Sequence, residues 1–178
     1  GSSSGGGSTG GSGVQKPELK QVYTDVAPDA WYFQCVGELS VADIVSGYPD
    51  GSFRPSGMVT YAEALKLILL ASGYAPVDAG EGRHWAAGYY DLALEKNFIG
   101  RDIDLDTPVT RLEIAHITAR AAGLSARNAS PFADCADADA AAMYEAGLVA
   151  GYEDLSFRPD RMISRAEMAM IIWRLYTG

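Results

Sequence analysis

Histidine, cysteine and positive charge are all scarce here, and each shortage closes off a class of function. The 178 residues hold only two histidines and two cysteines, with 14 Lys and Arg against 23 Asp and Glu. Cys35 and Cys135 stand too far apart for a CxxC redox motif or a zinc knuckle. Two readings of them remain, a disulfide in an oxidising compartment or a pair of small buried thiols. A net charge of −9 offers no basic face to neutralise phosphates, which argues against nucleic acid. The acids are spread along the chain, as on a solvated surface that aids solubility. No apolar run approaches the roughly 20 residues that a membrane-spanning helix requires, so no membrane insertion is expected. Nor does the sequence carry a nucleophile elbow, a glycine-rich phosphate loop or clustered metal ligands. His84 falls beside a helix start, and His116, within "RLEIAHITARAA", reads as a half-buried core residue rather than a general base. Neither an enzyme nor a cofactor is expected.

What is present is repetition. Residues 1–13, "GSSSGGGSTGGSG", read as a flexible Gly/Ser segment, either a linker to an upstream domain or an added tag. With no initiator Met and no signal peptide, the chain reads as a piece of something longer, attached to an upstream domain. Beyond this segment, "SGYPDGSFRPSGMVTYAEALKLI" (46–68) aligns without gaps on "AGYEDLSFRPDRMISRAEMAMII" (150–172), with eleven of the 23 positions identical. Between them "FIGRDIDLDTPVTRLEIAHIT" (98–118) carries a shortened loop and the same helix start. The period of about 50 residues divides the chain into three copies, 20–74, 75–124 and 125–178.

Each copy reads as helix–loop–helix. The first helix begins near Trp31 and Trp85 in copies one and two, while copy three, "DADAAAMYEAGLV", has no tryptophan there. Gly47, Gly100 and Gly151 are the expected stops for these helices. The second helix opens with Thr60-Tyr-Ala-Glu63, Thr110-Arg-Leu-Glu113 or Ser164-Arg-Ala-Glu167, which fits a capping box. Val59, Val109 and Ile163 precede the caps as hydrophobic staples, and Gly73 and Gly123 end the first two of these helices. The expected fold is mainly α, with three helix–loop–helix repeats packed as a pseudo-threefold trimer around a shared core.

An aromatic ahead of Asp (Tyr23-Thr-Asp25, Phe132-Ala-Asp134), a Trp-started helix, "GYPDGSFRP" and then "VTYAE/VTRLE/ISRAE" together resemble the S-layer homology domain, over roughly residues 20–177. The resemblance implies a three-pronged helical module at a bacterial cell surface. There it would anchor a larger protein non-covalently to secondary cell-wall polysaccharide, commonly one bearing an anionic pyruvylated sugar. The copies depart from the family pattern. Tyr61 stands where an Arg is usual, copy two has Val77-Asp78 as a loose stand-in for aromatic-x-Asp, and copy three lacks the tryptophan. The grooves are therefore not expected to be equivalent. The rival expectation is a module for protein–protein contact or self-assembly of a surface layer.

Arg111 and Arg165 lie in the first turn of their helices, where the backbone dipole disfavours a cation by about 0.3–1 kcal/mol. A local charge that helix stability does not need has its reason elsewhere. One reading is an anionic ligand over the helix N-terminus, held by the guanidinium fork and the open N–H groups. The other is an ion pair with a neighbouring carboxylate, such as Asp25 or Asp134 of an adjacent copy. Trp31 and Trp85 suit either sugar stacking or packing, and Tyr48 and Tyr152 are further candidate contacts. Phe53 and Phe157 read as core. Asp102, Asp104, Asp106 and Glu113 partly fit a calcium loop, but Thr107 stands where that loop needs glycine. A solvated loop is the reading adopted there.

Overall fold

The computed structural model describes residues 21–178, so the Gly/Ser segment lies outside the described residues. The helices are α1 (Phe33–Val41), α2 (Tyr61–Ala71), α3 (Ala87–Glu95), α4 (Arg111–Ala122), α5 (Ala138–Glu145) and α6 (Arg165–Thr177). Among the described residues there is no extended strand, only three isolated antiparallel bridges. The fold is mainly α, as the periodicity implies. None of these helices is long and apolar enough to cross a membrane.

The starts of α2, α4 and α6 follow from their caps. The hydroxyls of Thr60, Thr110 and Ser164 accept from the backbone N–H of Glu63, Glu113 and Glu167. Behind each cap, Val59, Val109 and Ile163 are buried in the core. Gly73 and Gly123 adopt the left-handed conformation that stops α2 and α4.

The stops of α1, α3 and α5 differ from expectation. The left-handed residues are Asp43, Asn97 and Gly147, ahead of the glycines assigned that role. Asp and Asn tolerate this conformation better than most side chains, so glycine is not required there. Gly47 serves another purpose. A Cβ added to it would lie 2.3 Å from the Tyr23 ring and 2.6 Å from the Ser52 carbonyl oxygen. Gly151 seats the Phe132 ring in the same way, whereas a Cβ at Gly100 would meet open space.

Those rings begin a clasp. Asp25 accepts from the N–H groups of Phe53 and Arg54, both at 2.8 Å. Asp134 repeats this with Phe157 and Arg158, at 2.8 and 2.9 Å. Phe53 and Phe157 are thereby turned into the core, while Arg54 and Arg158 take left-handed backbone. Partial burial raises the Asp25 carboxyl, but the two N–H donors outweigh it and leave the group below its usual range. Asp134 is held low chiefly by the Phe157 N–H. Asp78 does not repeat the clasp in copy two, since it accepts locally from Gly80 N–H.

The helices do not pair as helix–loop–helix units. Instead α2 packs on α3, α4 on α5 and α6 on α1, so each second helix lies against the first helix of the next copy. α2 also packs on both α4 and α6. Cys35 and Cys135 are free, buried thiols, with the Cys35 Sγ 3.5 Å from Met170 Sδ.

Two outcomes follow from the clasp. Gly47→Ala lowers stability by about 1–3 kcal/mol, as overpacking does, while Gly100→Ala stays within about 0.5 kcal/mol. Equal melting temperatures would remove the ring-seating account. A carboxylate depressed by folding stabilises above its unfolded pKa of about 3.9, and loses that effect as pH falls toward its folded value. The D25N/D134N variant should therefore melt below the wild type at pH 7, with the gap closing as pH drops below about 4. A gap independent of pH would show that the ionised carboxylates are not the source.

Candidate ligand-binding grooves

Each capped helix begins against the loop of the next copy. The N–H groups of Tyr61 and Ala62 donate to the carbonyls of Thr107 and Leu105. Those of Arg111 and Leu112 reach Arg161 and Pro159, and those of Arg165 and Ala166 reach Gly57 and Pro55. The bridges Thr60–Pro108, Thr110–Met162 and Met58–Ser164 run in the same cyclic order. This overturns one expectation, because the helix N–H groups meant for an anion are already occupied by loop carbonyls and caps.

The side chains follow the same cycle. Arg165 donates from Nη1 to Glu63 at 2.7 Å and from Nε to the Phe53 carbonyl at 2.8 Å. Arg111 does likewise with Glu167 and the Phe157 carbonyl, both at 2.8 Å. The carboxylate partners are thus the capping glutamates of the neighbouring copy, and not Asp25 or Asp134, whose oxygens serve the loop clasp. Only α4 closes its capping box in both directions, through Glu113 and the Thr110 N–H. Glu63 and Glu167 have exchanged that bond for an arginine. Glu113 can keep it because its cross-copy partner is Tyr61. Burial and the hydrogen bond to Glu113 raise the pKa of that phenol, which stays protonated as the donor.

Two grooves open beside the arginines. The first, of about 250 Å³, is lined by Tyr48, Glu63, Lys66, Trp85 and Arg165 over an apolar floor that includes Val45 and Phe53. The second, of about 350 Å³, is lined by Tyr152, Glu167, Met170, Arg174, Trp31 and Arg111. Both arginine side chains are nearly buried, 10% and 8% exposed, and two of the five N–H groups of each are engaged. Trp85 and Trp31 are 51% and 59% exposed, so they are not packing anchors. Tyr48 lies between Arg54 and Arg165, whose guanidinium carbons sit 3.7 and 5.1 Å from its ring centroid. Tyr152 is held likewise between Arg158 and Arg111, at 3.8 and 4.8 Å. Such stacking fixes the ring while leaving its hydroxyl available. The Tyr152 hydroxyl donates to Glu167 at 3.4 Å.

The structure therefore brings Arg165, Trp85 and Tyr48 to one groove, and Arg111, Trp31 and Tyr152 to the other. Tyr61 is buried in the core and enters neither. Lys66 and Arg174, outside the sequence expectations, line one groove each. Lys66 sits one turn beyond Glu63, on the same helix face, a spacing that marks it as a neighbour of the site. In copy two the position of Lys66 is occupied by His116, which meets Asp137 at 2.9 Å. The acidic loop of copy two is also spoken for, with Asp106 beside His84 at 2.8 Å and Glu113 in the capping box.

The family model for the S-layer homology domain matches residues 22–65 and 136–169. The chain is 42% identical over 91 residues to the middle cell wall protein of Brevibacillus brevis, covering 51% of this chain and 8% of that protein. It is 42% identical over 64 residues to a surface layer protein of Brevibacillus choshinensis, covering 36% of this chain and 6% of that one. A cellulosome-anchoring protein of Acetivibrio thermocellus is 27% identical over 157 residues, 75% of this chain and 35% of its own length. The chain thus spans less than a tenth of the first two relatives. Both matched stretches hold a capped helix start and its preceding loop, the parts from which the grooves are built, and these two stretches are S-layer homology domain sequence.

Proposed function

We propose that this chain anchors the polypeptide carrying it at a bacterial cell surface, by binding secondary cell-wall polysaccharide in the two arginine-bearing grooves. The observation that carries this is the recurrence, in two copies, of an exposed tryptophan, a nearly buried guanidinium and a cation-stacked tyrosine around one cleft. A tryptophan face suits a sugar ring, and the remaining N–H groups of the guanidinium suit a carboxylate such as that of a pyruvylated sugar. Lys66 adds a second cation to the first groove and Arg174 to the second, so that two cations outweigh the one glutamate in each. Net acidity is no obstacle, since charges beyond about 8 Å are screened at physiological salt. The copies would be bounded at 20–74, 75–124 and 125–178 and arranged about a pseudo-threefold axis, a reading supported by the cyclic order of their contacts. The function is binding without a chemical step.

Calorimetric titration with pyruvylated wall polysaccharide tests this. Wild type should bind saturably, and Arg165→Ala or Arg111→Ala should weaken the affected groove about tenfold or more, the effect of a lost charged hydrogen bond. Arg→Lys variants keep the charge near the glutamate but lose the fork, so they should fold as wild type and still bind more weakly. Trp31→Ala and Trp85→Ala should weaken binding without lowering stability, given their exposure. No binding by wild type, or full binding by the double arginine variant, would overturn the proposal. Oligomers forming with concentration in the absence of glycan would favour the self-assembly reading.

A further inference from the structure

The third inter-copy cleft, between α4 and α5, has the opposite chemistry. Where the other copies place Arg111 and Arg165, copy one places Tyr61. Where copies one and three place Lys66 and Met170, copy two places His116. Where copies one and two open their first helix beside Trp31 and Trp85, copy three has Asp137 and Asp139. All the replacements remove cations or add donors that bind them.

Folding brings three of these groups together. One ligand atom from each of His116, Asp137 and Asp139 can be chosen such that all lie within 4.8 Å of one another. The three residues are half-buried, enough to limit competition from water and to leave an open side. Asp137 is oriented by its other oxygen, since Oδ1 accepts from the N–H groups of Asp139 and Ala140 at 2.8 and 3.2 Å while Oδ2 faces His116 Nε2. That division of labour is the outer-shell bonding that holds a metal-ligating carboxylate in place.

We propose that His116, Asp137 and Asp139 bind a divalent transition-metal ion of the zinc class, with water completing the coordination. One imidazole nitrogen and two carboxylate oxygens form a donor set suited to zinc. Bonds of about 2.0–2.2 Å in a tetrahedron separate ligand atoms by about 3.4 Å. His116 and Asp137 would move apart by only about half an ångström from their present contact to admit the ion. The ion would join α4 of copy two to the start of α5 in copy three, stapling that cleft from within.

Having only two histidines makes the test direct. The full chain is titrated with zinc chloride by calorimetry, and the two histidine ring signals are followed by NMR. Wild type should take up one equivalent, shift the His116 ring signals and melt at a higher temperature with zinc present. His116→Gln should weaken binding at least about tenfold. Asp139→Asn leaves the His116–Asp137 contact in place and should weaken it too, so a loss there is not a folding artefact. His84→Gln should bind as wild type does, because His84 and Asp106 form a separate pair. The proposal is overturned if millimolar zinc gives neither heat nor signal change, if binding survives in His116→Gln, or if it is lost in His84→Gln.

Discussion

A helix start cannot be left unpaired inside a protein, and in this fold the neighbour's loop supplies the missing partners. The first two N–H groups of α2, α4 and α6 all end on carbonyls of another copy, and a capping hydroxyl serves the third. Because those bonds are spent between copies, no copy is complete without the next. The loop must then present its carbonyls at a fixed height, which is what the Asp25 and Asp134 clasps secure by holding the backbone on either side of Phe53 and Phe157. The grooves are a by-product of this docking. They form where one copy's arginine passes over the next copy's loop.

The capping glutamate shows how a single position is shared between structure and site. An N3 glutamate can return to its own cap or reach outward, and one oxygen seldom does both well. Where the neighbour offers a guanidinium, the charge-assisted bond wins, since such bonds are about twice as strong as neutral ones. Where the neighbour offers the Tyr61 phenol, the carboxylate keeps its capping bond as well. Tyr61 is accordingly a structural replacement that preserves the inter-copy link and gives up the cation. In place of a guanidinium, its cleft is bordered by a histidine and carboxylates.

Local features were the legible part of the sequence. The caps at Thr60, Thr110 and Ser164, the staple residues and the stops at Gly73 and Gly123 depend on neighbours a few residues away, and all are where the pattern puts them. The arginines were legible as anomalies, because a cation in a first turn needs a cause. Their partners were not, since Glu63 lies 102 residues from Arg165 and the pattern already gave that glutamate a role. Similarly, Gly47 and Gly151 looked like helix stops, and only the approach of Tyr23 and Phe132 shows their use. The pairing of α2 with α3, rather than with α1, was hidden because connectivity suggests that adjacent helices pack together. His116 and Asp137 are 21 residues apart, outside any short motif.

The packing of α1 on α6 has a consequence for how the chain is made. α1 leaves the ribosome well ahead of α6, the helix that covers it, since their contacting residues Cys35 and Met170 are 135 residues apart. At about 5–20 residues per second, that face stays uncovered for about 7–27 seconds. Contacts of such long sequence separation are also slow to form. Cys35 and Leu39 are on this waiting helix, so the unfinished chain carries an uncovered thiol and apolar side chains into whatever compartment it enters first. A holdase that shields α1, or export before folding, would meet the same need: to keep α1 unspent until α6 arrives.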